Sequence, residues 1–417
     1  MLSEKKLSLT ERRLIFFAIH LLQIFRSDFL KSFSVAHDTI RKNFKEIIPV
    51  NFVKKFFTMI MALAASMGVL TPAASAENFP SSVMHKLEVY SGDSGGTLIL
   101  SDSPEYVRRN GILYTDTVAG DARLLFYHLN DTGIRKRFAI IFENTTNAKT
   151  VIKITRGGLS APNKNYFSVG KIAQTIYMEN DFNDMIELKK FERKVYQPDD
   201  KYFLLKPGQL VHGVCDFFAS NPVRVFLLMY PENADPLKFL DRAEILPKDE
   251  YRLRGTFKQM NRTLTLKKPY DAQRDGLGYI LIGDNVNDLF KRGIDATDGS
   301  EVINYGNYGI NYTLNFQTKF LTRFCLSPLG GHYAGALRYK YYGESGVIQT
   351  PDKKLYFGDK MPPENPEVAF ARSEGISLMT EGTELSELGK YRGHVSFEYS
   401  PPGASNLPVN IVLMPSN

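Results

Sequence analysis

Residues Asn304-Tyr305-Gly306-Asn307-Tyr308-Gly309-Ile310-Asn311-Tyr312 place three tyrosines and three asparagines within nine positions. Small residues between the tyrosines leave ring faces open, and each asparagine offers a paired donor and acceptor. A sugar ring asks for that combination, an aromatic platform with a polar rim. Tyr305, Asn307, Tyr308, Asn311 and Tyr312 are therefore candidate ligand-binding residues. His332, in the flexible stretch Gly330-Gly331-His332-Tyr333, joins them as the histidine expected to be most exposed. The competing reading is a glycine-rich strand entry whose tyrosines plug a core. The chain has no tryptophan, the strongest stacking residue, which weighs against the sugar reading.

Three other motifs invite chemistry and fail on spacing. Gly92-Asp93-Ser94-Gly95-Gly96 is the sequence around the nucleophile of chymotrypsin-like serine proteases. Such a site needs its histidine and aspartate well upstream. Here only His85 lies between the motif and the expected start of the mature chain. A glycine-rich hairpin turn between strands 86–90 and 97–101 is the expected structure. The histidines His85, His128, His212, His332 and His394 show no i, i+2 or i, i+4 pairing that would chelate a metal. The acidic loops Asp284–Asp288 and Asp295–Glu301 lack EF-hand spacing and read as turns that cap strands. No catalytic residue, metal or cofactor is assigned.

The elements that must carry these residues are strands. Arg123–Leu129, Phe138–Phe142 and Val151–Thr155 are apolar or alternating runs separated by Asn/Asp/Thr/Gly turns, which predicts an antiparallel meander. Further strands are expected at 202–205 and 223–230, with one short helix within 165–180. A linker-like stretch, Pro231–Pro236, leads into a short helix from Leu237 that Pro247 stops. Beyond it, strands are expected at 252–257, 262–266, 279–282, 310–316, 320–326, 337–342, 394–399 and 409–414. The fold class is all-β: two β-sandwich-like domains, 77–234 and 235–417, with one or two short helices.

Residues 50–76 have the anatomy of a secretory signal: Lys54 and Lys55, an apolar run from Phe56 to Leu70, and Ala74-Ser75-Ala76 before Glu77. The apolar run is too short and alanine-rich for a membrane span. Residues 1–49 are then an unusual leader, explained by a mis-called start with Val50 as the true initiator. Removing residues 1–76 takes away 11 of 52 basic and 5 of 45 acidic residues, so the net charge falls from +7 to +1. No basic surplus is left for phosphates, which excludes a nucleic-acid partner. The two cysteines, Cys215 and Cys325, are too few for a disulfide framework. They form either one bond or two buried thiols.

Several segments together resemble a family. They are Leu113–Gly133, Arg254–Phe257, Gly306–Gly309, Gly330–Leu337 and Pro401–Val409. The chain is similar through them to little-characterised exported Firmicutes-type proteins whose similar regions often accompany a copper amine oxidase-like N-terminal (stalk) domain. The resemblance implies a cell-envelope setting. It does not imply oxidase activity, because the tyrosine that becomes topaquinone lies in Asn-Tyr-Asp/Glu. Every Asn-Tyr here is followed by Gly, Thr or Phe, and the close histidine pair that copper needs is missing.

The expected function is therefore an exported, non-enzymatic binding or scaffold protein, secreted or associated with the cell envelope. Its expected partner is a cell-wall glycan or another envelope protein, and the mature chain has no membrane span. The alternative is a carbohydrate-active hydrolase, which needs two carboxylates about 5–10 Å apart across a cleft. N-terminal sequencing of the exported product is expected to begin at Glu77; a product that retains residues 1–49 overturns the reading of the leader.

Overall fold

The computed structural model describes residues 82–179, 182–196, 199–358, 377–379 and 383–416. The expected leader 1–49 and signal peptide 50–76 lie outside the described residues. Of the described residues 56% are strand and 8% helix, so the chain is all-β. The strands form a 12-stranded and a 10-stranded sheet in a sandwich-like arrangement. No helix among the described residues is long and apolar enough to cross a membrane.

Two long strands organise the 12-stranded sheet. Gly111–Asn130 runs antiparallel to Leu210–Pro231 along nearly its whole length. On its other edge, Leu210–Pro231 pairs first with Thr150–Leu159 and then with Lys136–Asn144. The switch falls at a register break between Ala219 and Val223. Pro222 lies within that gap and has no N–H to give a ladder. Asn311–Pro328 plays the same part in the 10-stranded sheet, with a register shift between Thr318 and Thr322. The segments 310–316 and 320–326, expected as two strands, are thus one strand bent by an irregularity. The expected helix is present at Tyr166–Glu179, where Asn165 Oδ1 accepts from the Ser168 N–H at 3.1 Å. Asp235 caps the short helix Pro236–Leu240.

The sheets do not divide at 234/235, where the chain was expected to. Val89–Ser94 pairs with Asn261–Leu266 in the 10-stranded sheet. Ser82–Lys86 pairs there with Leu277–Ile282. In the other direction, Arg254–Lys258 joins the 12-stranded sheet by pairing with Thr97–Ser101. The motif Gly92–Gly96 is therefore no hairpin: Val89–Ser94 and Thr97–Ser101 belong to different sheets, and the chain crosses between them at Gly95 and Gly96. A Cβ on Gly96 would lie 1.7 Å from the Asp121 carbonyl oxygen, so the crossing requires glycine.

This exchange explains the continuous apolar runs. Leu98 and Leu100 enter the core of the 10-stranded sheet, while Ile99 between them enters the core of the 12-stranded sheet. Leu125 likewise faces the first core, and Leu124 and Phe126 face the second. A strand between two cores has no polar face, and period-2 alternation vanishes from its sequence. Cys215 and Cys325 are free and buried, Cys215 in the core of the 12-stranded sheet and Cys325 in a separate cluster with Tyr279 and Val412, and burial pushes both thiols up to about 12. They are unreactive thiols in the environment described here.

Arg123 ties the sheets together. Its Nε and Nη2 donate to the two Asp216 carboxylate oxygens at 2.6 and 2.8 Å. Nη1 donates to the carbonyls of Met260 and Gly309, at 2.9 and 3.0 Å, and Nη2 also donates to Asn261 Oδ1 at 3.2 Å. All five donors of a buried guanidinium are met, two within the 12-stranded sheet and three by segments of the other half. The Tyr177 hydroxyl of the helix also donates to Asp216, at 3.0 Å. Arg123→Ala is expected to lose about 3–5 kcal/mol in urea unfolding, because Asp216 is left buried without its counter-charge; a loss below about 1 kcal/mol would show that Arg123 does not hold the two halves together.

Candidate functional site

Alternation along Gly111–Asn130 sends Arg123, Leu125 and Tyr127 to one side. Opposite them on Leu210–Pro231 stand Asp216, Val214 and His212. Directly paired residues share a face. The row therefore runs from the ion pair, through an apolar step, to a Tyr127/His212 pair whose rings meet edge-on at 5.6 Å. Beyond that pair opens a cleft of about 210 Å³. Asp102 and Glu105 line it from the turn after Thr97–Ser101, Tyr308 from the loop before Asn311–Pro328, and residues 403–406 from the loop after Ser386–Tyr399. Both sheets contribute walls.

Each wall is held from behind. Ser101 Oγ lies 2.8 Å from His128 Nε2, and His128 Nδ1 lies 2.9 Å from the Pro104 carbonyl. A carbonyl only accepts, so Nδ1 donates and Nε2 accepts from the Ser101 hydroxyl. Asp249 takes the Ser103 hydroxyl at 2.8 Å and the Glu105 N–H at 2.7 Å, fixing the turn that carries both cleft carboxyls. Asn304 pins the Tyr308 peptide in both directions, donating to its carbonyl at 2.8 Å and accepting from its N–H at 2.9 Å. The Tyr308 hydroxyl donates to the Ser405 carbonyl at 2.6 Å. Ser405 Oγ in turn bonds the Ala334 peptide. Gly403 is squeezed between His212 and the helix: a Cβ there would lie 2.8 Å from His212 Nε2, and one on Gly170 would lie 1.9 Å from the Gly403 carbonyl oxygen.

The electrostatics of the cleft are one-sided. No lysine or arginine lines it. Burial, then repulsion from Glu105 and Asp249, holds the Asp102 carboxyl well above the usual carboxylate range. Burial and Asp249 raise Glu105 as well. Part of Asp102 remains on the cleft wall, yet its Oδ1 is shut off from solvent and has no hydrogen-bond partner. Burial lowers His212 to about 4, so the ring is neutral. Its Nδ1 donates to the Phe126 carbonyl at 2.7 Å, which leaves Nε2 as an acceptor.

The residues expected from the Asn304–Tyr312 motif do not form one platform. Tyr308 reaches the cleft. Tyr305 is 56% exposed and packs its ring edge-on with Phe290. Tyr312 and Asn307 are fully buried. The Tyr312 hydroxyl donates to Asp288 at 2.7 Å, and Asn307 donates to the Tyr312 hydroxyl at 2.8 Å and accepts from the Lys291 N–H at 2.8 Å. Those two have no surface for a ligand, because their polar atoms satisfy a buried charge cluster. Asn311 donates to Glu398 at 2.5 Å. His332 is exposed and meets the rings of Phe167 and Tyr356 at 5.8 and 5.0 Å, outside the cleft wall. Among the described residues, no group of three or more His, Cys, Asp or Glu side chains could hold a metal.

No family model matches the chain. No curated protein matches it either. Among solved structures, YhaK from Escherichia coli is 10% identical, over 79% of this chain and 94% of that one, with a TM-score of 0.13. Vicilin from tomato is 11% identical over 75% and 84%, with a TM-score of 0.12. Oxalate decarboxylase from Bacillus subtilis is 6% identical over 77% and 76%, with a TM-score of 0.11. Scores of that size carry no inference about fold or function.

The cleft carboxyls set a measurable pH dependence. A raised carboxyl binds its proton more tightly in the folded chain than in the unfolded one. Stability is then lost as pH rises from the ordinary aspartate value of 3.8 through the raised one. Asp102→Asn removes that loss, and is expected to raise Tm at pH 7.5 by about 2–4 °C. The gain should vanish near pH 4. His128 and His212, both lowered to about 4 from 6.5, act oppositely: their contribution is complete above 6.5 and lost as pH falls toward 4. Thermal unfolding of both proteins from pH 4 to 8 checks this; an equal Tm difference at every pH overturns it.

Proposed function

We propose that this is an exported, non-enzymatic binding protein of the cell envelope or extracellular space, and that its ligand is a glycan unit held in the cleft of Tyr127, Tyr308, Asp102, Glu105, His212 and Asn406. One observation carries the reading. A cleft of about 210 Å³ joins two tyrosines to carboxyl, imidazole and amide groups, with no lysine or arginine among its lining residues. Aromatic rings beside fixed hydrogen-bonding groups suit a sugar ring. The envelope setting rests on the signal-like segment 50–76 and on the family resemblance.

The same two carboxyls support a second reading, the carbohydrate-active hydrolase. Asp102 and Glu105 share one cleft, and both are raised, Asp102 more strongly. Carboxyls whose environments differ are the usual furniture of an acid and its partner carboxylate. Release of reducing sugar from polysaccharides, abolished in Glu105→Gln, would replace the binding reading by this one.

Pull-down on peptidoglycan and common polysaccharides tests the binding reading. Tyr308→Ala is expected to weaken retention by about 0.5–1.5 kcal/mol and to lower Tm by less than Tyr312→Ala, because Tyr308 is only partly buried. Tyr312→Ala, which empties a core position and removes one of the hydrogen bonds to buried Asp288, is expected to lower Tm by many degrees. If the parent protein binds no glycan, or if Tyr308→Ala behaves as Tyr312→Ala does, the proposed site is wrong.

A further inference from the structure

Most of the side-chain groups that face the cleft accept hydrogen bonds, with the Tyr127 hydroxyl and the Asn406 amide as its donors. Asp102 and Glu105 contribute carboxyl oxygens. The one His212 nitrogen left free by the Phe126 carbonyl is an acceptor. The Tyr308 proton is already given to the Ser405 carbonyl, so its oxygen offers lone pairs. Asn406 carries both donors and an acceptor, and Tyr127 keeps its hydroxyl proton. A cleft built this way binds a ligand rich in N–H and O–H donors.

Charge narrows the ligand further. The groups that bear on Asp102 are Glu105 and Asp249; the group that bears on Glu105 is Asp249. None is cationic. Elsewhere the buried carboxylates sit against arginine: Asp216 on Arg123, Asp288 on Arg262, Asp295 on Arg254. The chain thus pairs its buried carboxylates, and leaves the two in the cleft without a counter-charge. Tyr127 and Tyr308 add rings, whose faces attract cations.

We infer that the cleft selects a sugar bearing a free, protonated amine, with the ammonium between Asp102 and Glu105 and the ring hydroxyls toward His212, Tyr308 and Asn406. The inference rests on the glycan reading above and narrows it from sugars in general to amino sugars that are not N-acylated. An ammonium supplies three donors and the missing positive charge at once. N-acylation removes the charge and adds a carbonyl acceptor to a cleft that already has too many. Glucose keeps the shape and loses the charge.

Titration calorimetry of the full mature chain at pH 7.5, with glucosamine, N-acetylglucosamine, glucose and n-butylammonium, separates the possibilities. Glucosamine is expected to bind at least tenfold tighter than the other three. Asp102→Asn and Glu105→Gln, both near-isosteric, should each lose that preference by tenfold or more while near-UV circular dichroism stays unchanged. Glu187→Gln, a surface carboxylate paired with Lys149, should change nothing. Equal binding of glucosamine and N-acetylglucosamine overturns the charge selection and leaves the glycan reading standing. Equal binding of glucosamine and n-butylammonium overturns the sugar and keeps the cation. No binding by any of the four overturns this inference, and the polysaccharide pull-down then decides the glycan reading by itself.

Discussion

A guanidinium buried at the contact between two sheets must find five acceptors there, or it destabilises the fold it sits in. Arg123 finds them only because the chain exchanges strands. Asp216 comes from its own sheet, while Met260, Asn261 and Gly309 come from the other half. Were the two halves merely adjacent, with each strand kept in its own half, those carbonyls would be tied up in ladders or turned to water. Arg262 and Arg254 are used in the same way. Arg262 joins Asp93 of Val89–Ser94 to Asp288 and the Leu289 carbonyl. Arg254 joins Asp295 to the carbonyls of Leu113 and Leu246. Such pairs are expensive to desolvate, and a well-packed apolar replacement is often no less stable. Their contribution here is geometrical: a planar fork accepts one arrangement of partners and refuses a slipped register.

That register decides where the cleft opens. Two residues along the strand from Arg123 is Leu125, and two more is Tyr127; the pleat gives them one face. The same count on the facing strand leads from Asp216 to His212. The Arg123 Nη1 bond to the Gly309 carbonyl fixes the residue next to Tyr308. Tyr308 and Tyr127 are thus placed by one ion pair, through backbone on one side and through strand periodicity on the other. A shift of a single residue would turn Tyr127 and Arg123 into the opposite core.

Much of this architecture was legible in the sequence, and the reasons it was legible also mark where reading fails. Apolar runs such as 123–129 and 138–142, broken by Asn-Asp-Thr-Gly chemistry, identify strands whatever they pair with. The cap Asp235-Pro236 identifies a helix. Pairing partners are another matter. The runs at 97–101 and 252–257 look like members of separate domains because nothing local records that they will lie side by side. The tyrosines of the 304–312 stretch show the same divide. Their rings were legible as candidates, but Tyr312 is claimed by Asp288 and Tyr308 by the cleft, and both outcomes depend on residues far along the chain. The cleft carboxyls were passed over because Asp102 and Glu105 sit in Ser-Asp-Ser-Pro-Glu, which reads as ordinary turn chemistry. Their one local signal was that an acidic turn follows directly on a strand, Leu98–Leu100, with no polar face.

The contrast between paired and unpaired carboxyls bears on what the cleft is for. Asp295, deep in its pocket, is lowered by hydrogen bonds from Thr297 and Arg254 that outweigh its burial. Asp102 meets its burial with two like charges and no donor to Oδ1. A chain able to supply an arginine to each of three other buried aspartates has the means to neutralise a fourth, and the turn of residues 101–105 is already held by Asp249 and His128 without it. Burial and two like charges thus act on Asp102 with no neighbouring cation to offset them. Under the proposed reading, a bound ligand supplies the partner that the chain does not. Because the cleft walls come from both sheets, a ligand bound there as proposed would also bridge the contact that Arg123 holds, and its occupancy would raise the stability of the whole fold.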